Sequence, residues 1–199
     1  MTDASLRDAS VEELFERSGA LIDGHFLLKS GVHAARYLEK FLVLQHPAYG
    51  VELCRRFAAL LAEYSPTLVV GPTTGGVLLA FETARQLGAA VRAAFAEPVG
   101  TDRRALRRGW SVGPEDRVVI VDDILTSGAS LAETVGAVRE AGAEPLAAGV
   151  IVDRSTSPVE LGLTIHAVGR IEIPSWPPSA CPLCADGVPL RKPGSSSPA

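Results

Sequence analysis

The apolar and polar positions along the chain follow two rhythms, with a change near residue 67. Ser10 followed by Glu13 has the spacing of a capping box and predicts a short helix over 11–18. Ala20 to Leu28 reads as a strand broken at Asp23-Gly24, Lys29-Ser30-Gly31 as a turn, and Tyr37 to Leu44 as a second strand. Pro47 then opens a long amphipathic helix, in which Val51, Leu53, Cys54, Phe57, Leu60 and Leu61 recur at helical spacing. From Thr67 onward strands alternate with helices. Thr67 to Val70, Ala90 to Ala96, Arg117 to Val121, Pro145 to Val152 and Leu163 to Val168 read as strands. Val77 to Leu87 and Ala129 to Ala141 read as helices, with loops at Gly71–Gly76 and Asp122–Gly128. That alternation predicts an α/β fold with a mainly parallel sheet covered on both faces.

Two segments break the rhythm. Residues 97–113 carry Arg103, Arg104, Arg107 and Arg108 with few apolar positions, which predicts a functional or mobile loop. The tail from Pro174 is rich in Pro, Ser and Gly, and its last residues are expected to be disordered. The chain has 199 residues, enough for one domain with small appendages and a core that needs no disulfides. A formal net charge of −4 offers no overall footprint for nucleic acid. No apolar run reaches the roughly 20 residues that span a bilayer, and the polar N-terminal stretch does not read as a signal peptide. Three cysteines are too few for a disulfide framework, so the cytoplasm is the expected compartment.

The most informative string is Val118-Val119-Ile120-Val121-Asp122-Asp123-Ile124-Leu125-Thr126-Ser127-Gly128-Ala129-Ser130. A buried strand delivers two carboxylates to its C-terminal end, where open α/β sheets bind ligands. A loop of hydroxyls and glycine then opens a helix, whose free N–H groups suit a phosphate. Two acids beside a phosphate seat suit ribose hydroxyls or a magnesium-bearing ligand. The segment Gly71-Pro72-Thr73-Thr74-Gly75-Gly76 joins a strand to a helix with small residues that admit an anion to the backbone. An ordinary Gly-rich turn reads the same way.

The thirteen-residue string resembles the phosphoribosyl-pyrophosphate (PRPP) signature of type I phosphoribosyltransferases. Phe26 to Gly31, His33 to Tyr37, Val70-Gly71-Pro72 with Gly75-Gly76, Leu106 to Gly109 and Val152 to Ser155 narrow the resemblance to the orotate phosphoribosyltransferase family. It extends over about residues 10 to 195, where Cys181-Pro182-Leu183-Cys184 and Lys192-Pro193-Gly194-Ser195 look like one bacterial branch.

The resemblance implies a type I phosphoribosyltransferase fold with a small hood. Residues 1–46 and 173–199 contribute to the hood, and 47–172 form the PRPP-binding core with a mobile lid at 97–113. The implied reaction joins orotate to PRPP, giving orotidine 5′-monophosphate and pyrophosphate in pyrimidine synthesis, with magnesium riding on PRPP and no direct protein ligand to it. Asp122 and Asp123 would hold the ribose hydroxyls and favour a cationic ring. Thr126 to Ser130 would cradle the 5′-phosphate, with Ile124 and Leu125 also counted among the PRPP-binding residues. Thr73, Thr74 and Gly75 would form the pyrophosphate loop, where Gly75 stands at a position the family often fills with Lys. Lys29 would lie against PRPP and the base, with Tyr37, Thr126 and Arg154 on orotate. A guanidinium fork at Arg154 fits a planar carboxylate edge. The lid would cross to the neighbouring subunit of a homodimer, where Arg103, Arg104, Arg107 and Arg108 would neutralise pyrophosphate. Arginine stays protonated near neutral pH, so these four act by charge and not as acids.

Two other readings keep the same binding site. One is a phosphoribosyltransferase for a purine or another base, which the Lys29 turn and Arg154 argue against. The other is a PRPP-sensing regulator without catalysis, disfavoured by the acidic net charge. Cys181-Pro182-Leu183-Cys184 is a single CxxC, and structural zinc usually takes four ligands, so zinc binding within one chain is not expected. Cys54 sits on a helix face, and His25, His33, His46 and His166 are scattered in sequence. Two tails meeting across a dimer would supply four cysteines.

Overall fold

The computed structural model describes residues 3–28 and 30–193. Its centre is a six-stranded sheet of β3 (Leu68–Pro72), β4 (Arg92–Val99), β5 (Arg103–Ala105), β6 (Val118–Leu125), β7 (Pro145–Asp153) and β8 (Thr164–Arg170), ordered β5-β4-β3-β6-β7-β8. The five long strands are parallel and only β5 is antiparallel. β3 and most of β6 are buried along their length, as expected for strands covered on both faces.

Strand periodicity of two divides the core. Val69, Val119, Val121, Ala147 and Ile151 face one way, against Leu53, Phe57 and Leu61 of the helix Pro47–Leu61 and Leu79 of the helix Gly75–Leu87. Leu68, Val70, Val118, Ile120 and Val150 face the other way, against Leu131, Val135 and Val138 of the helix Ala129–Glu140. The five-residue helix α1 (Asp3–Arg7) and α2 (Val11–Arg17) precede the sheet. Ser10 and Glu13 close the expected capping box on α2, and Leu14 and Phe15 enter the first core layer.

A second, antiparallel sheet joins β1 (Leu21–Leu27), β2 (His33–Leu38) and β9 (Ser175–Trp176) in the order β1-β2-β9. The β1–β2 register slips between Asp23 and Phe26, where the sequence breaks at Asp23-Gly24. The strand expected over 37–44 ends at Leu38 instead. Glu39 caps the next segment, its side chain accepting from the Phe41 amide at 3.2 Å, and Lys40–Leu44 forms α3. A short apolar run fits helix and strand periods alike, and the cap decided between them. The remaining helices are α4 (Pro47–Leu61), α5 (Gly75–Leu87), α6 (Ala129–Glu140) and the single turn α7 (Pro182–Ala185).

The segment 97–113 begins as regular structure. β4 runs through Val99 and turns back as β5, pairing Glu97 with Ala105 and Val99 with Arg103. The tail is built into the small sheet as far as Arg191, which bridges to Phe26. The expected disorder at the extreme C-terminus falls on residues 194–199, outside the described residues. Among the described residues no helix is long and apolar enough to cross a membrane.

Candidate active site

The carboxyl ends of β3, β6 and β7 carry the predicted chemistry. β6 does not stop at Val121 as its apolar run implied. Ladder pairs from Asp122–Val150 through Leu125–Asp153 continue it, so both acids stand on backbone held by a neighbouring strand. Each is only 5% exposed. Burial, reinforced by the adjacent Asp123, pushes the Asp122 carboxyl up from 3.8 to about 6. The Asp123 amide, the Ser130 hydroxyl and Lys40 oppose that rise. The Asp123 amide reaches Asp122 Oδ1 at 2.8 Å, and the Ile124 amide reaches Asp123 Oδ1 at 2.8 Å.

Lys40 was not singled out from the sequence, because its segment read as a strand. Placed in the first turn of α3, it puts Nζ 2.8 Å from Asp123 Oδ2. Gly75, at the start of α5, is buried against the same carboxylate. A Cβ there would collide with Asp123 Oδ2 and touch Leu44 at 3.6 Å. Any side chain at position 75 would therefore have to displace the Asp123 carboxylate. Gly71 and Gly76 also approach each other too closely for either to carry a side chain, which draws β3 and α5 together below the Thr73–Thr74 loop. The Thr73 amide donates to the Ala96 carbonyl at 3.0 Å, and the Thr73–Thr74 peptide is cis.

Thr126, Ser127 and Ala129 are exposed around the N-terminus of α6, whose first N–H groups have no acceptor within the helix. Gly128 caps α6 at φ +79°, where Val159 blocks any Cβ. The side chains of Ile124 and Leu125 turn into the core. Leu125 is buried with α6, and Ile124 packs against the opposite core layer. Their side chains anchor the loop.

A cleft of about 1050 Å³ runs from Thr126–Ala129 past Arg154 to Leu28 and Ser30, in the turn between β1 and β2, and to Ser175 of β9. Asp122, Asp123 and Thr73 lie beyond its lining. Arg154 is half-buried and makes no ion pair among the described residues; burial lowers its pKa, partly offset by the Tyr37 phenol. Burial and Glu39 raise the Tyr37 pKa, against Lys40 and Arg154. Lys29 lies outside the described residues. The turn around it is closed by the Leu28 amide on Val32 O and the Gly31 amide on Leu28 O, both at 2.9 Å, with Gly31 at φ +83°.

The four arginines separate. Arg104 lies inward, with its guanidinium 3.3 Å from Thr73 O, Thr73 Oγ1 and Ala96 O, and 3.1 Å from Glu133. Arg103 pairs with Glu140 at 2.8 Å and Arg108 with Glu97 at 2.7 Å, both on the surface. Arg107 is exposed, and its charge adds to that of Arg108 in holding the Glu97 carboxyl below the usual carboxylate range.

A parallel sheet whose carboxyl edge holds two acids, a small-residue anion loop and an open helix N-terminus defines a class of nucleotide-handling domain, and residues 43–162 match the family described as Phosphoribosyl transferase domain. The orotate phosphoribosyltransferase of Pelotomaculum thermopropionicum is 44% identical over 182 residues, covering 92% of this chain and 94% of the relative. The crystal structure of orotate phosphoribosyltransferase from Aeropyrum pernix superposes with a TM-score of 0.67 at 23% identity, over 81% of this chain and 93% of that one. Adenine phosphoribosyltransferase from Rhodothermus marinus superposes at 0.61 with 19% identity, over 84% of this chain and 99% of that one. The fold is thus shared across bases. On its sequence relatives, the chain belongs to the orotate phosphoribosyltransferase family.

Proposed function

We infer that the chain transfers the 5-phosphoribosyl group of PRPP to orotate in the cytoplasm. The N1–C1 bond forms while the C1–oxygen bond breaks; the electron pair of that bond leaves with pyrophosphate, and the proton from orotate N1 passes to pyrophosphate or water. Magnesium enters as part of the Mg–PRPP substrate. The acidic pair fits that role. Asp123 already gives Oδ1 to the Ile124 amide and Oδ2 to Lys40, and Asp122 Oδ1 takes the Asp123 amide. The lone pairs left on both carboxylates are free to accept hydrogen bonds from ribose hydroxyls.

One observation carries the reading: Asp122 and Asp123, the Thr73 loop and the α6 N-terminus converge at one edge of one sheet, at the topological position where such sheets bind ligands. Catalysis of this kind rests on positioning and on charge placed before the reaction begins. Asp122 and Asp123 hold the ribose hydroxyls and stabilise its cationic character. The α6 N-terminus with Thr126, Ser127 and Ser130 takes the 5′-phosphate, and the loop from Thr73 to Gly75 takes pyrophosphate. Lys40 supplies the positive charge that the family often draws from position 75. Arg154, Tyr37 and Thr126, with Lys29, grip orotate beneath the small sheet, which acts as the hood. The chain works as a homodimer. Arg104 holds the hairpin to its own Thr73 loop, and the exposed Arg107, just beyond β5, reaches the neighbour's pyrophosphate.

Pyrophosphate release with PRPP, magnesium and a panel of bases tests the reading. Orotate is consumed; adenine, hypoxanthine and uracil, which lack a carboxylate for Arg154, are not. A purine turned over faster than orotate overturns it.

A further inference from the structure

Four side chains from opposite ends of the chain meet at the small sheet, and the proposed reaction uses none of them. His25 comes from β1, His33 from β2, Cys181 from the N-cap of α7 and Cys184 from within its single turn. Their ligand-capable atoms all lie within 4.8 Å of one another. His25 Nε2 is 2.9 Å from His33 Nδ1, 3.4 Å from Cys181 Sγ and 3.8 Å from Cys184 Sγ, and His33 Nδ1 is 3.3 Å from Cys184 Sγ. His25, His33 and Cys181 are buried at 1%, 6% and 5% exposure, and Cys184 is the exposed member.

Hydrogen bonding by itself does not explain why all four groups converge on one point. His25 Nδ1 lies 2.8 Å from the Val188 carbonyl, an acceptor, so Nδ1 carries the proton and donates. The neutral ring then offers a single lone pair at Nε2, and three polar atoms face it. One lone pair serves one strong hydrogen bond. A cation at the centre satisfies all four groups. The bond from Nδ1–H to a backbone carbonyl is also the arrangement that orients a metal-binding imidazole and fixes its tautomer.

The spacing and the donor set choose the ion. Zinc binds sulfur at about 2.3 Å and imidazole nitrogen at about 2.0–2.1 Å, which gives a tetrahedron edges of about 3.3–3.8 Å. Three of the separations, at 3.3, 3.4 and 3.8 Å, match these edges; the His25–His33 edge at 2.9 Å must open slightly, and the rest of the set, within 4.8 Å, must draw in around the ion. Two thiolates and two imidazoles suit zinc and not magnesium or calcium. The sequence arranges this locally. One turn beginning at Pro182 sets Cys181 and Cys184 three residues apart on one side. Gly187 at φ +69° then reverses the chain, so that Val188 bonds back to Leu183 at 2.9 Å and turns its carbonyl to His25.

We propose that His25, His33, Cys181 and Cys184 of one chain bind a structural zinc ion that locks the C-terminal segment to the β1–β2 hairpin. The cross-dimer four-cysteine site considered from the sequence is unnecessary, because two histidines more than 140 residues away complete the set within one chain. Other ties between these segments are light: the two-residue β9 and the 2.8 Å backbone bonds between Arg191 and both His25 and Leu27. The hairpin carries Tyr37 and the Lys29 turn, and the C-terminal segment supplies Ser175 to the cleft. The ion therefore fixes the relative position of two walls of the cleft.

The test uses the full chain, supplied with zinc and dialysed into metal-free buffer. Elemental analysis is expected to find one zinc per chain in the wild type and in Cys54→Ser, and almost none in the Cys181→Ser/Cys184→Ser double variant. Exchange with Co²⁺ is expected to give tetrahedral d–d bands with thiolate charge transfer, a readout that stands even if the double variant fails to fold. Chelation is expected to speed proteolytic clipping of the C-terminal segment. The proposal is overturned by wild-type protein that stays metal-free after zinc loading, by an octahedral Co²⁺ spectrum, or by zinc content unchanged in the double variant.

Discussion

Asp122→Asn separates the cost of the acidic pair from its use. Asparagine keeps the shape and still accepts the Asp123 amide through its side-chain oxygen, but it carries no charge beside Asp123. The wild-type carboxyl titrates at about 6 in the folded state, against 3.8 for the free group. At about 1.36 kcal/mol per pH unit, that difference corresponds to a penalty of about 3 kcal/mol when the group is ionised. Because the folded value is the higher one, the folded state binds more protons between 3.8 and about 6. The penalty is complete above about pH 6, shrinks as pH falls, and is absent below the unfolded value. Asp122→Asn is therefore expected to be more stable than wild type at pH 7.5, by up to about 3 kcal/mol, on the order of 6–12 °C in melting temperature for a chain of this size. The gain should vanish near pH 4. Its kcat is expected to fall about a hundredfold or more, on the scale of losing one preorganised electrostatic contact. Urea melts across pH 4 to 8, beside steady-state kinetics, measure both quantities. A stability difference that does not change with pH, or a variant less stable than wild type at pH 7.5, refutes the reasoning.

Gly75→Ala is expected to lose about 1–3 kcal/mol in urea melts through overpacking against Asp123, and Gly75→Lys at least as much. Arg107→Ala is expected to lower kcat strongly while Arg103→Ala, removing only a surface pair with Glu140, leaves it within about twofold. Subunit exchange between Arg107→Ala and Asp122→Asn/Asp123→Asn dimers places both defects in one site of each hybrid; activity recovering towards about a quarter of wild type supports a lid acting in trans, and none with exchange confirmed refutes it.

The segments that read correctly from sequence were those where a local signal and the final environment agree. The capping box at Ser10 and Glu13, the buried strands and the helix after Gly128 are written in neighbouring residues, and the acid pair carries its meaning within one thirteen-residue string. The run over 37–44 was misread because its apolar spacing fits either period and a single Glu39 hydrogen bond decides it. With that turn of helix came Lys40, whose charge is meaningful only against Asp123, more than eighty residues on. The arginines of the hairpin looked equivalent in sequence; which one faces inward depends on where Thr73 and Glu133 stand across the sheet edge. The same distance hid the partners of Cys181 and Cys184. Local order follows from backbone preferences and patterning over a few residues. A charge partner or a ligand set depends on contacts that only chain closure creates, between side chains whose separation in sequence carries no periodic signal.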